Sequence, residues 1–258
     1  MVEAMEFEQP RVVTLPMLTK IARDTGVAKD EAGAAKLAYR LQELGWLGSV
    51  RTKGVWEFLP GARAGAVSSG DRFLEFRAYT TMHTEWPGVL GMESAASLLG
   101  LAQHLPSREV VALPRGAAVP KALSEWRFVT VSMPEVGLEF RDHLPIWSLE
   151  GLIAGIATRP SGYRDLPGLA QWLPGASAKL RTDTLLECLW DAPTSVWQRA
   201  AYLARLAGAD ETAQALLTQR PPEHMAWFGA TRRGGTYDPV TKVTDADLAP
   251  YLDGGTGA

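Results

Sequence analysis

The chain has 258 residues, 46% of them hydrophobic, and a formal net charge of −3. That fits one large or two ordinary domains with a real core. A lone cysteine excludes an intrachain disulfide framework and fits a reducing compartment. No apolar run approaches the roughly eighteen residues of a membrane span. Glu3, Glu6 and Glu8 stand where a leader would need an apolar stretch. A cytoplasmic protein without membrane association is the expectation.

In chain order, Met1–Pro10 is short and acidic. Thr14 then caps a first predicted helix, with Pro16 early, where its missing N–H costs little. Leu15, Leu18, Ile21 and Ala22 recur at helical spacing, and Gly26 ends the helix. A second helix starts near Asp30. Its apolar face is Ala34, Leu37, Ala38, Leu41 and Leu44, so it buries one side only. The other side carries Lys36, Arg40 and Glu43, with Lys29 just before the helix, and Gly45 stops it. Strands are predicted at Trp46–Val50 and Val55–Leu59, flanking the tip Arg51-Thr52-Lys53-Gly54.

Helix, turn, helix and hairpin with a basic tip is the order of parts in a winged helix-turn-helix. There the second helix enters the major groove and the wing touches phosphates or the minor groove. Residues 11–63 hold nine Lys/Arg against five Asp/Glu, a local net of +4 in a chain of −3. A cationic unit on an acidic remainder suits an oriented polyanion binder. Amphipathic helices also carry charges that are merely solvated, and winged helices also dock proteins, so the pattern alone leaves a protein-interaction module open.

Residues 61–70, rich in Gly, Ala and Ser, read as a linker between a domain over 1–60 and a larger one over 71–258. In the larger part, helices are predicted at Arg72–Thr81, Met92–Leu99, Ser148–Ala157, Leu166–Leu173, Thr182–Trp190, Ser195–Leu206 and Asp210–Gln219. Strands are predicted at Val110–Leu113, Arg127–Val131 and Leu138–Arg141. Short strands among helices give an α/β or α+β class around a sheet. Trp126, Trp147, Trp172, Trp190 and Trp197 sit beside apolar or amphipathic runs and read as core. Asp253–Ala258 reads as a frayed tail.

Motifs of catalysis are missing. His83, His104, His143 and His224 show no metal-like spacing, and no CxxC, HExxH, Walker or GxSxG pattern occurs. Cys188 lies in an apolar helical stretch and reads as a packed thiol. Glu139, Asp142 and Glu150 could meet in space but are not singled out by spacing. Lys179–Arg181 and the Arg232–Gly235 loop read as solvated surface. The expectation is a non-enzyme with no catalytic, metal or cofactor site.

The segment AKLAYRLQELGWLGSVRTKGVWEFLP, taken with Met92–Leu101, Leu105–Pro114 and Pro193–Leu203 in that order, resembles AbiEi-type antitoxins of bacterial type IV toxin–antitoxin systems. The last of these segments is similar to actinobacterial members. The resemblance implies a repressor of its own operon that binds inverted repeats in the upstream double-stranded DNA. It also implies a nucleotidyltransferase-like toxin as functional partner, opposed by the C-terminal domain. By match of position, Lys29, Lys36 and Arg40 on the helix and Arg51, Thr52 and Lys53 on the wing would face DNA. A stand-alone regulator without a toxin is the alternative. Family members often have a helix ahead of the one at Thr14, and the short acidic Met1–Pro10 predicts that this helix is truncated or absent.

Overall fold

The computed structural model describes residues 2–61 and 68–252. Most of the expected linker and the tail Asp253–Ala258 lie outside them. The chain divides into two compact units, Met1–Trp86 with Val119–Ser124, and Pro87–Ala118 with Glu125–Ala258.

In the first unit, helix α1 (Val2–Glu8) leads into strand β1 (Val12–Thr14), helices α2 (Leu15–Asp24) and α3 (Glu31–Glu43), strands β2 (Leu47–Ser49) and β3 (Val55–Phe58), and helix α4 (Leu74–Met82). The three strands form one antiparallel sheet in the order β1-β3-β2. The caps foreseen from sequence are made: Thr14 Oγ1 accepts from the Met17 N–H at 3.3 Å, and Asp30 Oδ1 from the Gly33 N–H at 2.8 Å. Both helices end in the same way. Gly26 and Gly45 adopt φ of +69° and +77°. The residue after each glycine donates its N–H back to a carbonyl of the last turn, Val27 to Ala22 at 2.8 Å and Trp46 to Leu41 at 2.9 Å. This closing motif needs a left-handed residue, and glycine takes that conformation without steric cost.

The acidic N-terminus does form a helix. It is short, seven residues, but Met5 is wholly buried with Val13, Leu18, Ala38, Leu41, Leu47 and Phe58. The Met5 thioether seats α1 with Val2 packed beside it; Glu3 and Glu8 are exposed, and the half-buried Glu6 accepts from the Gly61 N–H at 3.0 Å. Strand β1 was not foreseen; it is three residues long and holds its place by pairing Val12–Thr14 with Val55–Glu57. Helix α4 also departs from expectation. Predicted at 72–81 as the start of the larger domain, it packs on β1, β3 and the turn Lys121–Leu123, burying Leu74, Phe76 and Ala78. Periodicity marks a helix but not the sheet it covers.

The second unit is the mixed α/β part. Strands β4 (Val89–Leu90), β5 (Val110–Leu113), β6 (Arg127–Thr130), β7 (Leu138–Arg141) and β8 (Leu144–Trp147) form a sheet in the order β6-β5-β4-β8-β7. Pairs β5–β6 and β4–β8 are parallel; β4–β5 and β7–β8 are antiparallel. Helices α5 (Met92–Leu98), α6 (Leu149–Thr158), α7 (Leu166–Trp172), α8 (Thr182–Cys188), α9 (Thr194–Leu206) and α10 (Asp210–Gln219) follow the expected positions closely. A smaller sheet, β10-β11-β9, is made of β9 (Ala226–Phe228), β10 (Thr236–Asp238) and β11 (Val243–Asp245), and α11 (Ala249–Leu252) follows. Apart from Glu150 in its first turn, helix α6 is apolar on every side through Ala157 and is buried over nearly its whole length, as such a helix must be. It packs on α5, α8 and α9. Trp147, Trp172 and Trp197 enter this core as expected. Trp126 is only half-buried, and Trp190, just past the end of α8, is 62% exposed.

Candidate nucleic-acid interface

Helix α3 buries Ala34, Ala38 and Leu41 and half-buries Leu37. That fixes which side turns outward: Lys36, Tyr39, Arg40 and Glu43 are exposed, with Lys29 exposed in the turn ahead of the helix. Gln42 Nε2 donates to Ser49 Oγ at 2.9 Å and ties α3 to β2. The outward face is therefore held at a set angle to the hairpin.

The hairpin tip is pinned from two sides. The Leu15 N–H donates to the Gly54 carbonyl at 2.9 Å. The Arg51 N–H meets both oxygens of the Glu75 carboxylate, at 3.1 and 3.0 Å. Arg51 and Lys53 remain exposed. Rigid placement matters for an anion site, because a cation already held in position loses less freedom on binding.

Five of the six residues expected to face DNA thus lie at the surface of this unit: Lys29, Lys36, Arg40, Arg51 and Lys53. Thr52 differs. It is 7% exposed, and its buried hydroxyl has no hydrogen-bond partner among the described residues. Alternation along the tip turns Thr52 inward while its two neighbours turn out, so the exposed surface of the tip is cationic and not hydroxylic. Tyr39 was missed from sequence. It is 68% exposed, three residues after Lys36 and next to Arg40, on the same face of α3. An aromatic at an outward helical position between two cations was the available signal. Its phenol can donate to or accept from a phosphate or a base edge.

Among the described residues no three His, Cys, Asp or Glu side chains gather to hold a metal ion. Cys188 is half-buried, and burial, with the Glu150 and Glu187 charges adding, pushes its thiol up to about 12. A thiol so raised stays protonated near neutral pH and is a poor nucleophile. Glu139 and Glu150 do line one small cavity, but each is engaged by an arginine: Glu139 by Arg141 at 2.5 Å and Glu150 by Arg181 at 3.2 Å.

Burial raises the Glu150 carboxyl, but hydrogen bonds from the Arg181 side chain and backbone more than offset it and leave the group below its ordinary value of 4.5. A depressed carboxylate contributes stability that is present above the unfolded value and lost as pH falls through the folded one. Glu150→Gln should therefore cost about 1–2 kcal/mol at pH 7. The deficit should shrink below pH of about 4. Urea unfolding at pH 7 and pH 3 checks this; an equal deficit at both would contradict it.

Residues 88–206 match the family model of the AbiEi antitoxin C-terminal domain. No curated protein matches the chain. Among solved structures, the crystal structure of the RV2827C protein from Mycobacterium tuberculosis is similar, with 27% sequence identity and a TM-score of 0.78 over 97% of this chain and 92% of that one. In sequence, residues 88–206 are thus similar to the AbiEi antitoxin C-terminal domain, and the fold of the whole chain is similar to that of the mycobacterial protein.

Proposed function

We propose that the protein is a DNA-binding antitoxin and transcriptional autorepressor of a type IV toxin–antitoxin operon, opposing a nucleotidyltransferase-like toxin. The observation that carries the DNA-binding half is the exposure of these side chains in the first unit: Lys29, Lys36, Tyr39 and Arg40 on and ahead of α3, with Arg51 and Lys53 on the pinned hairpin. Read as a winged helix, α3 lies in the major groove and the hairpin is the wing. Lys36 and Arg40 then reach base edges, where arginine or lysine paired with guanine is the commonest specific contact. Arg51 and Lys53 sit on phosphates and set register. The buried Thr52 takes no part. Antitoxin action belongs to the C-terminal family domain at 88–206, and the protein acts without catalysis or cofactor.

A promoter–reporter carrying the DNA upstream of the gene tests the repressor half. The wild-type protein is expected to lower reporter output, and output that ignores the protein would count against repression. For the purified protein, Lys53→Ala should weaken binding to specific and random duplexes alike and lower the slope of log affinity against log salt by about one. A selective loss on the upstream sequence alone would mean that Lys53 reads bases and not phosphates.

A further inference from the structure

The second unit holds a cavity of about 640 Å³ walled by the start of α5, the segment ahead of β5, the first residues of β6 and the segment before α7. Two carboxylates line it, and both are engaged. The buried Glu93 accepts from the Arg127 guanidinium through one oxygen and from the Arg164 backbone N–H through the other. Asp165 accepts from the Gly168 N–H at 3.0 Å and caps α7. Arg127 also donates to the Gly162 carbonyl. The Arg108 and Arg164 side chains are exposed at the same cavity, and neither meets a carboxylate at ion-pair distance among the described residues. Three guanidiniums thus converge where two acids are already committed.

The crowding is felt inside the cavity. The pKa of Arg127 is lowered, first by burial and then, against the pull of Glu93, by the like charge of Arg164. An anion between the arginines relieves that repulsion, and guanidinium forks suit phosphate oxygens. Trp126 and Phe128, both half-buried, add aromatic surface to the same lining. Guanidinium groups beside an indole match a ligand with a phosphate at one end and a flat ring at the other.

We propose that this cavity binds a nucleoside phosphate, with Arg108 and Arg164 on the phosphate and Trp126 against the base. The site uses no residue of α3 or the hairpin and stands whether or not the first unit binds DNA.

Calorimetric titration of the full chain with ADP at low salt tests it. Binding is expected, and Arg108→Ala and Arg164→Ala should each weaken it about tenfold, the worth of one charge-assisted contact. Both side chains are exposed, and the Arg164 backbone bond to Glu93 survives the alanine, so unchanged thermal melts should accompany the loss. Trp126→Leu should weaken ADP while leaving inorganic phosphate unaffected. A Lys36→Glu, Arg40→Glu variant should bind ADP as the wild type does. No heat with ADP would overturn the proposal, as would binding indifferent to Arg164→Ala or lost with the α3 variant. Equal affinity for ADP and inorganic phosphate would overturn the nucleoside assignment.

Discussion

Reversing both cations on the outward face of α3, Lys36→Glu with Arg40→Glu, is expected to reduce binding to the upstream DNA by about a thousandfold or more. Each base or phosphate contact of this kind is worth about 1–3 kcal/mol. A carboxylate in its place adds repulsion from the phosphates to the lost attraction. Both side chains point away from the Ala34, Ala38 and Leu41 face that seats the helix, so the core is untouched. Fluorescence anisotropy with a labelled duplex reads the loss, and circular dichroism confirms the retained fold. A variant that folds and binds as the wild type would show that α3 is not the reading helix. Lys36→Ala and Arg40→Ala taken singly then separate the two roles. A residue that reads bases should narrow the gap between specific and random DNA, while one on phosphate should lower both together.

The second large effect concerns α6. Gly151 approaches the backbone at Gly137 so closely that a Cβ there would overlap the Gly137 carbonyl oxygen. That carbonyl is already fixed, because it accepts the Ser148 N–H at 2.9 Å. Ser148 in turn caps α6 by accepting from the Gly151 N–H at 3.1 Å. A flexible side chain could swing away from an added methyl; a tethered carbonyl cannot. Gly151→Ala should destabilise the second unit by about 2–4 kcal/mol despite alanine's better helix propensity. Its melting transition should fall by about 5–10 °C. Gly175→Ala is the matched control, since a Cβ at Gly175 meets no heavy atom within 4 Å. Scanning calorimetry of the two variants checks the contrast, and equal melts would contradict the close contact. On the proposed function, Gly151→Ala should also weaken neutralisation when the toxin is co-expressed.

Much of this architecture could be read from particular residues. Thr14, Asp30 and Ser148 cap the helices they introduce. The span Asp210–Gln219 is a helix over the whole expected range, and Val110–Leu113 and Leu138–Arg141 are strands over theirs. These segments share a strong local signal: a cap followed by helical periodicity, or a short β-branched or aromatic run. The elements that were missed lack one. Strand β8 reads Leu-Pro-Ile-Trp, a run with a proline that lacks a ladder N–H and with no alternating pattern, yet the segment pairs with both β4 and β7. Strands β1, β4, β9, β10 and β11 are two or three residues long and exist because a partner strand lies beside them.

The candidate interface was legible to a similar depth. Helical spacing turns Lys36 and Arg40 away from the Ala34, Ala38 and Leu41 face. It could not show that Thr52 turns inward, because which of two adjacent residues in a hairpin tip faces in depends on how the strands pair. Nor could it show that Glu75, twenty-four residues further along, holds the Arg51 backbone. The cavity around Glu93 and Arg127 was out of reach for the same reason: its groups come from residues 93, 104–108, 126–128 and 164–165 and meet only through the sheet.

On the proposed function, the outward face of α3 and the pinned hairpin form a sequence-selective DNA surface. The most direct measurement titrates the purified full chain into two labelled duplexes of equal length, one from the DNA upstream of its gene and one of shuffled sequence, across a series of salt concentrations. The expected result is tighter binding to the upstream duplex at every salt, with log affinity falling linearly against log salt for both. Absence of binding to the upstream duplex at low salt, or equal affinity for the two duplexes throughout, would contradict it.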